Sequence, residues 1–450
     1  MRRYHAALAW VDGAVVTDVA IDCEDERIAA VHPDTRAGPG DTRLGGLVIP
    51  GLANAHSHAF HRALRARTQE RAAGRSDADA GDFWSWRQRM YALAGAVDPD
   101  RYAELATAVY AEMALAGVTA VGEFHYVHHG PDGTAYDDPN AMGEALAEAA
   151  RGAGIRLTLL DTCYLRGGFD APLEGVQRRF GDRDAEAWAA RASALPESPV
   201  LRRGAALHSV RAVPAAQMPT VAAWAAERSA PLHVHVSEQP AENEACRRAT
   251  GTTPTGVLAE AGALGPHTTA VHATHVTSDD VAALGATGTA VCLCPTTERE
   301  LADGIGPARA LAAAGSPLCV GSDSHAVVDL FEEARAVELD ERLATLERGH
   351  HDPAALLGAA TTAGHARLGW DVGLRPGALA DFVAVDLASP RTAGASAATA
   401  VAHAVFAASA CDVTDVVVGG EPVVRDRAHT RLDVPAALRS ALTSVEESLR

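Results

Sequence analysis

Two histidines stand two positions apart in Ala55-His56-Ser57-His58, shortly after an apolar run at Leu47-Val48-Ile49. Side chains at i and i+2 of a strand share one face, so His56 and His58 can grip one ion at a strand's end, each through a neutral ring nitrogen. The pair alone is a weak signal, because a chain with 20 histidines contains His-x-His by chance. Partners follow in chain order, each closing an apolar run: His233-Val-His235-Val-Ser-Glu238, then Val271-His272-Ala-Thr-His275, then Gly321-Ser-Asp323-Ser-His325. Imidazole nitrogens with one carboxylate oxygen suit a divalent first-row ion, zinc above all, that keeps a position open for water.

Such residues need a frame that brings them together. Residues 5 to 48 read as short strands (Ala6 to Trp10, Ala14 to Ile21, Ile28 to Val31) between Gly, Asp and Pro turns. From residue 50 to about 365, apolar runs alternate with alanine-rich helical stretches such as Arg101 to Ala116 and Met142 to Gly152. The runs are the one before His56, then Thr119 to Gly122, Leu157 to Leu160, Gly204 to Leu207, Leu232 to Val236, Thr269 to Val271, Ala290 to Leu293 and Pro317 to Val320. Eight strands with intervening helices predict an α/β fold, a (β/α)₈ TIM-type barrel. Strand signals return at Asp381 to Leu387, Asp415 to Val418 and Pro422 to Arg425. The expected organisation is a small β-sandwich built from both termini, residues 1–48 and 371–450, around a catalytic barrel at 49–370. In a barrel the loops after the strands converge on one face. His56 and His58 end the first strand, His208 the fourth, His235 and Glu238 the fifth, His272 the sixth and Asp323 the eighth. A shared metal site is the reading that accounts for them together.

Composition narrows the alternatives. The chain has 450 residues, 48% of them hydrophobic and 22% charged, enough for a large domain and a smaller one. A net charge of −19 argues against a nucleic-acid or anionic-membrane surface. All 39 basic residues are arginine, which rules out a Schiff-base lysine, a P-loop lysine and a carboxylated lysine bridging two metals. The seven cysteines are odd in number and scattered, which suits a reducing compartment, and Cys292-x-Cys294 reads as core. Without a secretory signal or an apolar run of membrane-spanning length, the expected location is the cytoplasm.

The ordered set resembles the amidohydrolase superfamily, and within its mononuclear deaminase branch the formimidoylglutamate deiminases. Ala55-His-Ser-His-Ala-Phe60, Phe83-Trp-Ser-Trp-Arg87, Glu123-Phe-His-Tyr-Val-His-His129, His208-Ser-Val-Arg211, His235-Val-Ser-Glu238-Gln239, Val271-His-Ala-Thr-His275 and Gly321-Ser-Asp-Ser-His325 carry the resemblance over nearly the whole chain. It implies His56, His58, His235 and Asp323 as ligands of one Zn²⁺, with His233 in a supporting or core role. It implies a metal-activated hydroxide attacking the formimidoyl carbon of N-formimidoyl-L-glutamate, giving N-formyl-L-glutamate and ammonia in histidine degradation. Glu238 shuttles the proton, Asp323 can accept one, and His272 hydrogen-bonds the water or the tetrahedral centre. The substrate carries two carboxylates, so an acidic chain needs local cations. The resemblance supplies Arg87 and Arg211, with Tyr126, His208 and His61 as further hydrogen-bonding groups. Position 61 departs from the family's usual glutamine. His61 keeps hydrogen-bonding capacity and changes shape and charge. Homodimers are common among relatives, which offers a homodimer as an expected assembly by analogy alone.

Other readings stay open on sequence alone. A zinc aminohydrolase of a nucleobase or adenosine-type substrate would use the same metal, Glu238 and Asp323 with an aromatic stacking pocket. Cleavage to formamide and glutamate belongs to a different, two-manganese fold. A binuclear hydrolase is disfavoured by the missing lysine. A catalytically inactive scaffold would be expected to lack ligands that this chain retains. Glu298, Asp303 and Glu332 read as solvated or structural, and Trp84 and Trp86 as pocket wall or core.

Overall fold

Strands covered on both faces must be apolar along their whole length, and that is how the central part of this chain folds. The structure, a computed structural model, describes residues 2–68 and 83–449, and the side chain of Trp84, an expected pocket wall, lies outside those described. Four strands come first: β1 (Arg2–Val11), β2 (Ala14–Glu24), β3 (Arg27–His32) and β4 (Thr42–Pro50). The barrel strands follow as β5 (Leu52–Ser57), β6 (Val118–His125), β7 (Arg156–Cys163), β8 (Leu201–Ser209), β9 (Leu232–Val236), β10 (Thr268–His272), β11 (Ala290–Leu293) and β12 (Leu318–Val320). Every residue of β5, β6 and β7 is buried. Each barrel strand pairs in parallel with its sequence neighbour, in the order β5 to β12. Closure is local: Ser57 bridges Asp323, the Asp323 N–H donates to the His56 carbonyl at 3.0 Å, and the His58 N–H donates to the Asp323 carbonyl at 3.2 Å. The barrel is sealed at the residues expected to bind metal.

The chain ends add β13 (Phe382–Val385), β14 (Val413–Val418), β15 (Glu421–Arg425) and β16 (Ala428–His429). With β1–β4 they form a separate sheet ordered β16-β15-β14-β13-β4-β1-β2-β3, which encloses its own core of Tyr4, Val19, Ile21, Val48, Phe382 and Val417. One strand differs from the sequence expectation. The apolar run Leu47-Val48-Ile49 belongs to β4 of this sheet, paired with β1 and β13, and the strand that carries His56 begins after it at Leu52. Pro50-Gly51 makes the crossing. A Cβ on Gly51 would sit 2.0 Å from the Thr119 hydroxyl, so only glycine lets the chain pass between the two sheets.

A buried ion pair fastens the sheets together. Arg156, at the start of β7, donates to both Asp381 oxygens at 2.7 and 3.1 Å, and Asp381 also accepts the Gly419 N–H at 2.7 Å. Both side chains are almost fully buried. Removing one partner strands the other charge, so Asp381→Ala should lower stability by about 3–5 kcal/mol. Chemical denaturation measures this, and an unchanged midpoint would show that the pair contributes nothing net. Among the described residues no helix is long and apolar enough to cross a membrane.

Candidate metal centre and catalytic pocket

Backbone carbonyls set the orientation of two of the expected ligand rings. His58 Nδ1 lies 3.0 Å from the Phe124 carbonyl, and His235 Nδ1 lies 2.9 Å from the His208 carbonyl. A carbonyl only accepts, so each Nδ1 carries the proton and each Nε2 is left as a lone pair facing inward. The third ring, His56, brings its Nε2 to 3.1 Å from that of His235. Asp323 Oδ1 stands 3.4 Å from His56 Nε2 and 3.3 Å from His58 Nε2. All four side chains are buried.

Their charge states match their geometry. Burial, and then neighbouring imidazoles, hold His56, His58 and His235 well below the ordinary histidine value, so all three are neutral. Burial pushes Asp323 up, but His58, His272 and His235 outweigh it and hold the carboxyl below its usual range. Converging lone pairs and a carboxylate repel one another unless a cation lies between them. This donor set therefore fits a divalent ion. Gly321 lets β12 approach closely enough, since a Cβ there would lie 2.7 Å from the His56 backbone.

Beside the ligands, Glu238 and His272 complete a second cluster. Their backbones leave the strands sharply: Ser237 (φ 52°), His272 (φ 69°) and Asp323 (φ 42°) all adopt left-handed conformations that disfavour L residues. Strain of this kind costs of order 1–3 kcal/mol per residue and persists only where the surroundings impose it. Here it turns His272 and Asp323 into the pocket and, at Ser237, sets the turn that brings Glu238 there. His272 Nε2 stands 3.9 Å from Glu238 Oε1 and 3.8 Å from Asp323 Oδ2. Burial raises the Glu238 carboxyl above its ordinary value, against the pull of His272 and Arg211. Burial also opposes charge on His272, yet Glu238, Glu298 and Asp323 together push it to about 10.

Two acids read from sequence as solvated or structural prove buried beside this cluster. Glu298 Oε1 lies 3.2 Å from His272 Nδ1 and accepts the Cys294 N–H at 2.9 Å. Asp303 is buried and bonded to Gln239, and burial, with Glu238 next, pushes its carboxyl to about 9. Both follow β11, the one strand in the second half of the barrel whose end had drawn no candidate. Treating all eight strand ends alike would have found Glu298. Glu332 is partly exposed and pairs with Arg299 and Arg335, as expected. The Glu298 carboxylate accepts from His272 Nδ1 and fixes the tilt of the ring. Glu298→Gln should cut kcat about 10–100-fold with little change in KM. A matching rise in KM would mean that it shapes the pocket instead.

A cavity opens onto these groups. His58, His61, Arg87, Tyr126, His208, Arg211, His235, Glu238, His272 and Asp323 all line it, and Trp86 forms part of the wall. His56 lies behind them. His61 Nε2 is 3.0 Å from the Tyr126 hydroxyl, which also reaches Met90 Sδ at 3.5 Å. Arg87 donates to the Tyr91 hydroxyl at 2.7 Å. Arg211 stands 3.6 Å from Glu242, whose other oxygen accepts the Glu238 N–H at 3.1 Å. Glu242, unmarked by the sequence reading, thus ties the arginine to the loop that carries Glu238. His233 is buried with its Nε2 near the Arg367 carbonyl at 3.4 Å, a core role.

Comparison with known proteins agrees with this architecture. Residues 47–423 match the Amidohydrolase family. A formimidoylglutamate deiminase of Pseudomonas aeruginosa is 38% identical over 416 residues, 90% of each chain. A 5-methylthioadenosine/S-adenosylhomocysteine deaminase of Natronomonas pharaonis is 28% identical, covering 94% of this chain and 92% of that one. The crystal structure of an amidohydrolase from Brucella melitensis superposes with a TM-score of 0.91 at 32% identity, covering 99% of this chain and all of the other. With a metal-ready cluster of histidines and an aspartate at the mouth of its barrel, the chain belongs to the amidohydrolase family.

Proposed function

We propose that this protein hydrolyses N-formimidoyl-L-glutamate to N-formyl-L-glutamate and ammonia, with one Zn²⁺ held by His56, His58, His235 and Asp323. The observation that carries the reading is the joining of two chemistries in one cavity: Arg87 and Arg211 share it with Glu238, His272 and Asp323. A neutral heterocycle would give the arginines nothing to bind. The dicarboxylate amidine needs such cations, and arginine offers planar, bidentate partners.

When bound, the ion supplies Lewis acidity that makes water nucleophilic near neutral pH. Glu238 takes the proton from the attacking water and passes it to the departing nitrogen, for which a carboxyl raised by burial is suited. His272, held by Glu298, donates a hydrogen bond to the tetrahedral centre, and Asp323 serves as a second proton acceptor. Arg211 and Arg87 receive the carboxylates, and Tyr126, His208 and His61 add hydrogen bonds. Protonated nitrogen then leaves as ammonia. All seven cysteines are unpaired, which supports a reducing, cytoplasmic setting. The catalytic unit is residues 49–370, carried between the two terminal segments.

Aromatic side chains at Trp86, Tyr91, Tyr126, Tyr164 and Phe180 also line the cavity, the feature that an adenosine-type substrate would use. Incubating the zinc-loaded protein with N-formimidoyl-L-glutamate, while measuring ammonia and identifying the carbon product by mass, separates the readings. Ammonia with N-formylglutamate is expected. Formamide with glutamate would overturn the choice of bond, and turnover of adenosine-type amines alone would overturn the choice of substrate.

A further inference from the structure

We infer that a second cation subsite lies at the floor of the pocket, formed by His272 and the outer oxygen of Asp323, which line it, and by Cys294 buried behind them, and that it takes a thiophilic divalent ion and blocks turnover when filled. The inference rests on the assignment of His56, His58 and His235 to the first ion. Ligating atoms of His272, Cys294 and Asp323 lie within 4.8 Å of one another, and all three residues are buried. Asp323 divides its two oxygens between the sites. Oδ1 faces His56 and His58 at 3.4 and 3.3 Å, and Oδ2 faces His272 Nε2 at 3.8 Å. A carboxylate so placed can bridge two cations about 3.5–4 Å apart.

His272 is presented in the same way as the ligands of the first ion. Its Nδ1 is held by Glu298, as those of His58 and His235 are held by carbonyls, which leaves Nε2 directed at Asp323 and Glu238. A carboxylate behind a histidine in this manner is the usual support of a metal-bound imidazole. Carboxylates flank the subsite as well, with Glu238 3.9 Å and Glu298 3.2 Å from the His272 ring nitrogens. The thiol sets the choice of ion, since a sulfur, nitrogen and oxygen donor set suits Zn²⁺ or Cd²⁺ and not Mg²⁺ or Ca²⁺. On binding, the Cys294 S–H and the His272 Nε2–H each release one proton, and sulfur and Nε2 bond to the ion. His272 Nε2 and Asp323 Oδ2 are then engaged, so neither can serve the reaction.

The test uses the full chain with one zinc equivalent loaded and Cd²⁺ as the probe. Cys411, the exposed cysteine, is changed to serine throughout so that it cannot bind the probe. Elemental analysis after dialysis should give two ions per chain, with a near-ultraviolet thiolate-to-cadmium absorption. Turnover should fall about 100-fold as the second ion binds. In Cys294→Ser the count should return to one, the absorption should vanish, and Cd²⁺ should no longer inhibit. One ion in the parent without thiolate absorption would overturn the second subsite, as would absorption that survives Cys294→Ser. A parent chain that holds no ion would overturn the first-site assignment, and this inference with it.

Discussion

Glu238→Gln should keep its metal and lose about 10³-fold in kcat, the range expected when a positioned acid–base group is removed. Glutamine preserves the shape of the side chain, which lies buried on the turn after β9, and the backbone N–H of residue 238 still donates to Glu242. What it removes is the ability to carry a proton from water to nitrogen. Glu238 stands 3.9 Å from His272, outside the group of His56, His58 and His235, so metal content by elemental analysis should stay at one ion per chain. Retained turnover would take Glu238 off the proton path. Loss of the metal together with activity would instead make it a ligand.

Arg211→Met should raise KM for N-formimidoyl-L-glutamate about 10²-fold while kcat changes much less. Hydrogen bonds to charged groups contribute about 1.5–3 kcal/mol, and each 1.4 kcal/mol corresponds to a factor of ten. Methionine keeps the length and the apolar stem, so the loss is that of the guanidinium. The buried Glu242 carboxyl lies above its ordinary value because of burial, with Arg211 pulling it down. Without Arg211 that pull disappears and the carboxyl takes up a proton more readily, which limits the cost of the unpaired partner. Steady-state kinetics decide the matter: an unchanged KM would remove Arg211 from carboxylate recognition. A collapse of kcat would show instead that the arginine acts through Glu242 on the loop that carries Glu238.

Short-range spacing carried most of what could be read without coordinates. His56 and His58 are legible because strand geometry aligns i and i+2. His235, His272 and Asp323 are legible because each ends an apolar run, and a parallel barrel gathers its strand ends on one face. Seven of the eight barrel strands were visible because burial on both faces demands uninterrupted apolar residues. The sequence by itself therefore determined the barrel and the gathering of polar residues at its strand ends. Tertiary structure alone decided the rest, because it depends on contacts between residues far apart in the chain. Leu47-Val48-Ile49 reads as the start of the barrel until β13, more than 300 residues later, pairs with it. Glu298 and Asp303 carry the polar signature of surface residues, and only folding places them against His272 and Glu238, where burial and neighbouring charge give them chemistry. Nothing in the run Gly321-Ser-Asp323 shows that one carboxylate turns its two oxygens toward different histidines. That division follows from the closure of β12 onto β5, which fixes the backbone of Asp323 against that of His56.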